Sequence, residues 1–428
     1  MKAAIFTLGC KVNQYESQEM TEMLKKNGYL IVDSKEKADV YIVNSCTVTA
    51  ESNRKTRQAV RHLKSKNPDA VVVLTGCVPQ AFPEEALAVK EADIFLGNKN
   101  NNKLIPALNK WFNDKKTINN ITMHENDDKY SGGIITDFEG HTRAFIKIQD
   151  GCNRFCSYCA IPYARGRSRS KSIEDIKNEL NNLAEKGFKE VVFVGINLSA
   201  YGRDIGLSLT DAVTAAQNTD GIERIRLGSL EPDHISDEMI DTFASCNKFC
   251  PQFHISLQSG CDTVLKRMNR HYDSAYYRHL VKKLRDSFDD TSITTDIIAG
   301  FPGETEEEFE KTINFVKEIS FDKVHVFPYS IREGTKAAKM QGHLQNAIKS
   351  ERANRLSAVC EDIRSKQFKL MAGKTVSVLF EMPKEGYACG YTKNYTPVRV
   401  KTEENLSGKI RDVLITETFN DFCIGEII

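Results

Sequence analysis

The 428-residue chain has almost no net charge and lacks a long apolar run, and both absences restrict its function. No apolar stretch approaches the roughly 18 residues that a membrane span needs. The stretch Ala3–Leu8 is also too short for the core of a signal peptide. The formal net charge is +1, so a nucleic-acid surface must come from local clusters of cations. We therefore expect a cytoplasmic protein of roughly three domains with no membrane partner.

Six of the twelve cysteines form two groups of three, and each group lacks the fourth ligand that usually closes an iron–sulfur or zinc site. In a cytosolic protein such thiols are more often reduced, metal-bound or catalytic than paired in disulfides. Three thiolates around a [4Fe-4S] cluster would leave one iron open to another ligand. The alternatives are a zinc knuckle for the tight group and ordinary buried thiols for the dispersed group. The tight group is Cys152, Cys156 and Cys159, and the dispersed group is Cys10, Cys46 and Cys77.

The first hundred residues alternate strand and helix patterns, which predicts a flavodoxin-like parallel sheet covered by helices. The predicted strands are Lys2–Leu8, Val40–Val43 and Val71–Leu74, and the predicted helices are Gln14–Asn27, Glu51–Lys66, Glu84–Val89 and Leu104–Phe112. Cys10, Cys46 and Cys77 each follow one of these strands. Because sites in such sheets form at the carboxyl ends of strands, the fold would bring the three thiols together.

A second alternation begins near Thr142 and predicts a partial (β/α)6 barrel, with its site at the carboxyl ends of the strands. Its predicted strands are Ala144–Gln149, Val191–Val194, Arg224–Leu227, His254–Leu257, Ile293–Ile298 and Val324–Pro328. After a helical stretch at Leu344–Leu370, short strands near Thr375–Phe380, Val398–Lys401 and Val413–Glu417 predict a small β-barrel. We therefore expect domains at 1–112, 141–370 and 371–428, and a linker at 113–140.

The tight cysteine motif resembles the radical S-adenosylmethionine superfamily, because Phe155 and Tyr158 lie between its cysteines and it follows the first barrel strand. Further motifs together resemble the methylthiotransferases over nearly the whole chain. They are Gly-Cys-Lys-Val-Asn-Gln-Tyr-Glu at 9–16, Asn-Ser-Cys-Thr at 44–47, Thr-Gly-Cys at 75–77, His-Ile-Ser-Leu-Gln-Ser-Gly at 254–260, Met-Asn-Arg at 268–270 and Thr-Asp-Ile-Ile-Ala-Gly-Phe-Pro-Gly-Glu at 295–304. That family joins an N-terminal cluster domain, a radical barrel and a C-terminal RNA-binding TRAM domain.

The resemblance implies two [4Fe-4S] clusters and S-adenosylmethionine as cofactors, with no catalytic residues beyond the cluster ligands. Cys152, Cys156 and Cys159 would hold the radical cluster, and Cys10, Cys46 and Cys77 an auxiliary cluster. Residues 9–16 resemble the subgroup that inserts a methylthio group at C2 of N6-threonylcarbamoyladenosine 37 in tRNA. The implied partners are the anticodon stem-loop, an external electron donor and a sulfur donor of unidentified nature.

Side chains near the strand ends of the barrel are expected to contact S-adenosylmethionine. Asn197 can both donate and accept hydrogen bonds, and Glu231 can accept them from ribose hydroxyls or an ammonium group. Asp296 lies inside a strand, where burial is costly without a partner, so a structural role is an equal alternative. The full candidate set is Phe155, Tyr158, Asn197, Ser229, Glu231, Gln258, Asp296 and Ile298.

Local clusters of cations are candidates for binding RNA phosphates. One cluster shares a helix face, a second follows the tight cysteine motif together with Lys171, and one further arginine lies in the Met-Asn-Arg motif. The candidates are Arg54, Arg57, Arg61, Lys64, Arg165, Arg167, Arg169 and Arg270. A solvated charged face is the alternative for the helix. Residues 371–428 carry seven Lys or Arg and eight Asp or Glu, an unusual balance for an RNA-binding domain.

Three alternatives stay open. The same chemistry could act on isopentenyladenosine in tRNA or on an aspartate of a ribosomal protein, or the chain could be an RNA-binding redox sensor with iron–sulfur clusters. The other six cysteines fit no ligand set, and we interpret them as ordinary thiols. They are Cys246, Cys250, Cys261, Cys360, Cys389 and Cys423.

Overall fold

The computed structural model describes residues 1–47, 49–138 and 140–428. Val48 and Glu139, the latter in the predicted linker, lie outside these ranges. The described chain forms a parallel sheet, an open barrel of parallel strands and a small closed β-barrel. Within these ranges, no helix is long and apolar enough to cross a membrane.

The N-terminal sheet has six parallel strands in the order β2-β1-β3-β4-β5-β6, in which the first five follow the flavodoxin-like order. Three of them, β1, β3 and β4, were predicted, and β2, β5 and β6 are additional. Its central strands, β3 and β4, are buried throughout, as their unbroken runs of β-branched residues predict. The strands are β1 (Lys2–Thr7), β2 (Leu30–Ile31), β3 (Val40–Ser45), β4 (Val71–Gly76), β5 (Ile94–Leu96) and β6 (Ile118–Asn120). The helices are α1 (Lys11–Lys26), α2 (Ala50–Lys66), α3 (Cys77–Ala81), α4 (Pro83–Leu87) and α5 (Leu104–Asp114).

The segment 113–140 is more than the predicted linker. Its strand β6 pairs in parallel with β5 and completes the sheet. Further along, Tyr130 donates from its hydroxyl to the carbonyl of Lys147 across 2.6 Å, and Tyr15 donates to the carbonyl of Gly133 across 2.9 Å. These contacts could not be predicted from the polar composition of the segment, because their acceptors are main-chain carbonyls, which every residue has.

The barrel strands form two parallel groups, in the orders β11-β10-β7 and β12-β13-β14-β15. A bridge between Ile225 of β11 and Phe249, just before β13, joins the two groups. All six predicted strands are present, and a short strand, β12, follows β11. The barrel strands are β7 (Arg143–Lys147), β10 (Glu190–Val194), β11 (Arg224–Leu227), β12 (Ser229–Leu230), β13 (Gln252–Ile255), β14 (Ser292–Ala299) and β15 (Lys323–Pro328). A two-stranded ribbon, β8 (Gln149–Asp150) and β9 (Arg169–Ser170), flanks the cysteine loop.

Amphipathic helices cover the barrel and bury one face against its strands. In α7, for example, Ile176, Leu180 and Leu183 recur at helical spacing and join the main core. Helix α12 begins at a capping box formed by Thr305 and Glu308. The helices are α6 (Ile161–Arg165), α7 (Ile173–Glu185), α8 (Leu209–Gln217), α9 (Asp237–Ala244), α10 (Asp262–Arg267), α11 (Ser274–Ser287), α12 (Glu306–Ile319) and α13 (Asn346–Lys369).

The C-terminal segment closes into a five-stranded barrel in the order β16-β17-β18-β20-β19. The strands are β16 (Thr375–Phe380), β17 (Ala388–Thr392), β18 (Pro397–Val400), β19 (Ile410–Thr418) and β20 (Cys423–Ile427). This small barrel is anchored by two buried arginines of β11. Arg224 donates to the carbonyls of Ser377 and Tyr391, each across 2.9 Å, and Arg226 donates to that of Lys393 across 2.9 Å. The small barrel therefore attaches to the larger barrel through side chains of β11.

A candidate iron–sulfur and cofactor site

The dispersed cysteines follow three neighbouring strands of the N-terminal sheet. Strand β3 pairs with β1 on one side and β4 on the other, and Ser45 lies in register with Gly76. Two glycines allow the following loops to approach closely. A Cβ on Gly9, which has φ of +120°, would lie 2.8 Å from Cys46 Cβ, and one on Gly76, with φ of +95°, would lie 2.5 Å from the Ser45 carbonyl oxygen. The sheet therefore gathers the loops that carry Cys10, Cys46 and Cys77.

Polar side chains surround these thiols. Cys10 Sγ donates to Asn13 Oδ1 across 3.2 Å, and Asn98 Nδ2 approaches Cys77 Sγ at 4.0 Å. Burial raises the pKa of Cys77 to about 12, against the lowering effect of Arg165. The thiol is therefore protonated at neutral pH, and metal binding here would release a proton.

The tight cysteine motif forms a loop held by main-chain hydrogen bonds. The amide of Cys159 donates to the carbonyl of Cys156, and that of Cys152 to the carbonyl of Gly166, each across 3.0 Å. Phe155 adopts φ of +50°, which is costly for a residue with a side chain and is typical of functional loops. Burial raises the pKa of Cys152 to about 11 and that of Cys159 to about 12.

Two arginines donate hydrogen bonds to the sulfurs of this loop. Arg270 Nη1 donates to Cys156 Sγ across 3.2 Å, and the amide of Arg154 donates to Cys152 Sγ across 3.5 Å. Hydrogen bonds to ligand sulfurs are a principal means by which proteins tune iron–sulfur clusters. None of the twelve cysteines, all within the described ranges, forms a disulfide.

Across residues 1–47, 49–138 and 140–428, no three Cys, His, Asp or Glu side chains are grouped as ligands of one metal ion. A cubane does not require such a group, because each thiolate binds a different iron atom.

Two short helices that pack together place the two cysteine sites next to each other. Helix α3 starts at Cys77, helix α6 starts two residues after Cys159, and the two helices pack together. Asn98 links them, since its Nδ2 donates to the carbonyl of Ala164 across 2.8 Å while it approaches Cys77 Sγ.

Asn197 is suited to bind an ammonium group beside the tight loop. Its main-chain N–H donates to Gln149 Oε1 across 2.8 Å, and its side-chain Nδ2 lies 3.9 Å from Cys152 Sγ. Its Oδ1 is buried and has no partner in the described structure. Such an orphan acceptor is costly unless a ligand supplies the donor. The amino group of a bound amino-acid cofactor fits this position.

The other predicted cofactor residues differ in their surroundings. Glu231 is paired with Arg270 and Arg154, and Ser229 is exposed. Gln258, Asp296 and Ile298 lie on the partly open inner face of the four-stranded sheet. Asp296 is paired with His254 across 3.4 Å.

The two aromatic residues of the tight motif have different neighbours. Tyr158 packs edge-on against Phe301. Phe155 contacts Tyr163 edge-on and lies under the Arg167 guanidinium.

The structure corrects the expected RNA contacts at Arg165, Arg169 and Arg270, whose side chains are almost completely buried. Each one pairs with a carboxylate inside the protein: Arg165 and Arg169 with Asp150, and Arg270 with Glu231. Lys171, from the same basic stretch, is buried against Glu179. These side chains cannot bind phosphate in this structure, because they are buried and paired with carboxylates. Arg167 remains exposed.

The basic face of α2 is exposed, but each of its cations has an acidic partner. Arg54 is paired with Glu51, Arg57 with Glu85 at 3.9 Å, Arg61 with Glu91 at 3.2 Å and Lys64 with Asp93 at 2.9 Å. This arrangement favours a solvated, charge-balanced face. Glu51 belongs to the same helix, whereas Glu85, Glu91 and Asp93 come from positions after it in the sequence.

The sequence interpretation missed the role of Arg154 and the buried network around Glu16. Arg154 pairs with Glu231 and Asp233, and Glu16 accepts from Lys147 and Arg165 at 2.8 and 2.7 Å. The motif that contains Glu16 was visible, but nothing local indicated that its partners lie more than 130 positions away.

Comparison with known proteins places the chain in a family. The model of the Radical SAM superfamily matches residues 146–316, and that of an uncharacterized protein family, UPF0004, matches residues 2–97. The Threonylcarbamoyladenosine tRNA methylthiotransferase MtaB of Bacillus subtilis is 36% identical, over 99% of this chain and 96% of its own length. The MtaB protein of Thermotoga maritima is 39% identical, over 91% and 89%. The chain belongs to the radical S-adenosylmethionine methylthiotransferase family.

As a member of this family, the protein is an enzyme with a [4Fe-4S] cluster and S-adenosylmethionine as cofactors. A relative whose name gives a different modified nucleoside has the same percentage identity. The tRNA-2-methylthio-N(6)-dimethylallyladenosine synthase of Clostridium botulinum is 36% identical over 99% of this chain and 96% of its own length. Among solved structures, the radical S-adenosylmethionine methyltransferase TsrM of Kitasatospora setae matches the fold with a TM-score of 0.58 and 14% identity, over 79% of this chain and 75% of TsrM.

Proposed function

We propose that this methylthiotransferase inserts a methylthio group at C2 of N6-threonylcarbamoyladenosine 37 in tRNA and uses two [4Fe-4S] clusters. The observation that carries the proposal is the packing of α3 against α6, which puts the loop of Cys77 beside the loop of Cys152, Cys156 and Cys159. A radical formed at one site and sulfur held at the other must reach the same carbon atom, so adjacent sites are required. The domains at 1–112, 141–370 and 371–428 would then serve sulfur donation, radical formation and RNA binding.

When bound, the clusters and two molecules of S-adenosylmethionine supply the radical, the sulfur and the methyl group, with electrons from an external donor. The chain's own residues bind and orient. Asn197 Oδ1 accepts from the cofactor's ammonium group, and Asn197 is itself held by Gln149. Glu231, held by Arg154 and Arg270, presents a carboxylate at the same strand ends.

The substrate assignment is supported by the MtaB relatives and by the residues that follow Cys10. The botulinum relative, with a dimethylallyladenosine product in its name, supports a second candidate substrate. Mass spectrometry of nucleosides decides between them. The gene is expressed in a host that lacks endogenous methylthiotransferases, and the tRNA is digested. We expect a methylthio derivative of threonylcarbamoyladenosine and none of isopentenyladenosine, and the reverse pattern would reassign the substrate.

The two cysteine sites are tested separately under anaerobic conditions. The Cys156→Ala variant is expected to form no 5′-deoxyadenosine. The Cys46→Ala variant is expected to cleave the cofactor but to yield no methylthiolated product. The Cys246→Ser variant is the control, because this thiol fits neither site. Methylthiolated product from Cys46→Ala would contradict the proposed roles of the two sites, and a wild-type chain that makes no 5′-deoxyadenosine would contradict the proposed radical chemistry.

A further inference from the structure

Arg165 lies between the two cysteine sites, and its Nε has no acceptor in the described structure. It is the last residue of α6, six positions after Cys159. Its side chain is 1% exposed. Nη1 and Nη2 donate to Glu16 across 2.7 and 3.0 Å, and Nη1 also approaches Asp150 at 3.2 Å. Within the described structure its Nε is buried and has no acceptor. A buried charged donor without an acceptor is costly, so a ligand that accepts from Nε would stabilise this arrangement.

Cys77 is a close neighbour of this guanidinium. Burial lowers the pKa of Arg165, whereas Cys77, and after it Glu16 and Asp150, raise it, and the net shift is upward. Helix α6 packs against α3, which starts at Cys77, so the contact belongs to the helix pair that joins the two sites.

The surrounding network contains an excess of cations. Lys147, Arg165 and Arg169 face the carboxylates of Glu16 and Asp150, and all five side chains are at most 12% exposed. Glu19 adjoins them, but burial raises its pKa to about 7, so it is only partly ionised at neutral pH. An anion beside Arg165 would complete the charge balance of this buried group. A cubane on three thiolates carries net negative charge and has sulfur atoms that accept hydrogen bonds.

We propose that Arg165 is a positioning residue of the auxiliary site, whose Nε donates to the Cys77 sulfur or to a sulfide of the cluster bound there. This inference rests on the proposed two-cluster function. Glu16 of α1 and Asp150 of β8 both pair with the guanidinium, so this side chain connects the N-terminal domain that carries Cys77 to the segment that carries the tight cysteine loop.

The test isolates the auxiliary cluster in a chain in which Cys152, Cys156 and Cys159 are replaced by Ala. Arg165→Lys keeps a charge that can pair with Glu16 but removes the directed Nε donor. Arg169→Lys is the matched control, because Arg169 belongs to the same network but donates to Asp150 and to the carbonyls of Arg165 and Arg167. Iron retention against a chelator and the reduction potential are measured.

We expect Arg165→Lys to weaken iron retention by about 10- to 100-fold, as loss of an outer-shell partner does at metal sites. Its reduction potential should move to a more negative value, because a donor to the reduced cluster is lost. The control should match the parent chain. Equal retention and equal potential in Arg165→Lys and the parent would overturn the inference. If the parent chain takes up no cubane at all, the two-cluster function fails, and this inference fails with it.

A second measurement needs no change at Arg165. The parent chain is prepared with 15N-labelled arginine, and the reduced cluster is examined by electron–nuclear double resonance. The inference predicts an exchangeable proton and a 15N nucleus coupled to the cluster, with both signals absent in Arg165→Lys. Absence of both signals in the parent chain would overturn the inference even if Arg165→Lys fails to fold.

Discussion

Arg270 donates from Nη1 to Cys156 Sγ across 3.2 Å, while its other terminal nitrogen is paired with Glu231. One guanidinium therefore joins a proposed cluster ligand to a proposed cofactor residue. Glu231 also accepts from Arg154, which lies between Cys152 and Cys156. The tight cysteine loop and the strand end after β12 are consequently held as one unit before any cofactor binds.

Replacing Arg270 by Met should remove the N–H···S hydrogen bond and leave Glu231 partly unpaired. We expect a loss of about 10- to 100-fold in cofactor cleavage, the range for outer-shell partners of metal ligands, with a lower reduction potential of the radical cluster. The rate of 5′-deoxyadenosine formation and a redox titration by electron paramagnetic resonance measure the two effects. Arg267→Met is the control, because Arg267 pairs with Glu308. A potential equal to that of the unmodified enzyme would contradict the role of this hydrogen bond.

Glu16 connects the N-terminal sheet to the barrel through Lys147 and Arg165. Glu16→Gln should destabilise the protein by about 3–5 kcal/mol, because removal of one partner leaves buried cations uncompensated. The exposed pair of Glu318 and Arg278 supplies the control, and Glu318→Gln should cost less than about 1 kcal/mol. Thermal unfolding of the apoprotein compares the variants. Equal melting temperatures for the two variants would show that the pairs of Glu16 with Lys147 and Arg165 do not stabilise the contact between the N-terminal domain and the barrel.

The strands and helices of this chain were predictable because their signals are local. The runs of β-branched residues at Val40–Val43 and Val71–Leu74 have the right period and length, and the structure extends each by two residues. Adjacency of Cys10, Cys46 and Cys77 followed from a general rule about the ends of parallel strands. The role of Asn197 in binding the cofactor stays a prediction, and the buried acceptor without a partner that supports it is visible only in the folded structure.

Burial of cations was not predictable, because it depends on partners that only the tertiary fold supplies. Arg165 and Arg169 belong to a stretch in which cations alternate with Gly and Ser and no acidic residue occurs, yet Glu16 and Asp150 reach them from α1 and β8. Strand β6 was missed for a related reason. Its Ile-Asn-Asn sequence has little strand preference, and pairing with the edge of β5 decides its conformation.

Asp322 should make stability depend on pH in a defined window. Burial raises the pKa of this carboxyl from 3.8 to about 6, although it accepts from the amide of Ile293 across 2.7 Å. The folded state binds the proton more tightly than the unfolded state does, so stability is lost as pH rises from about 4 to about 6. Asp322→Asn keeps an acceptor for Ile293 and removes this loss, which corresponds to up to about 3 kcal/mol. The melting temperature of the variant relative to the unmodified protein should therefore rise between pH 4 and pH 7.

Asp286→Asn is the control for this titration, because Asp286 is exposed and paired with Lys282. Its difference from the unmodified protein should stay nearly constant over the same range. A constant difference for Asp322→Asn as well would contradict the assigned burial effect.

The small C-terminal barrel should depend on Arg226 for its attachment. This buried arginine is paired with Glu190 at 2.8 Å, donates to the carbonyl of Lys393 and lies over the ring of Tyr395. Arg226→Leu removes all three contacts and leaves Glu190 without its nearest cation, at a cost of about 3–5 kcal/mol. Hydrogen exchange of the amides at 391–396 should increase, because the barrel can then separate from β11.

The double variant Arg226→Leu with Glu190→Leu distinguishes attachment from burial of charge. Replacement of both partners by apolar residues is often neutral or stabilising, so the melting temperature should recover. The hydrogen bond to Lys393 is still missing, so exchange at 391–396 should stay fast. Slow exchange in the double variant would mean that the ion pair, and not the donation to the main chain, holds the C-terminal barrel in place.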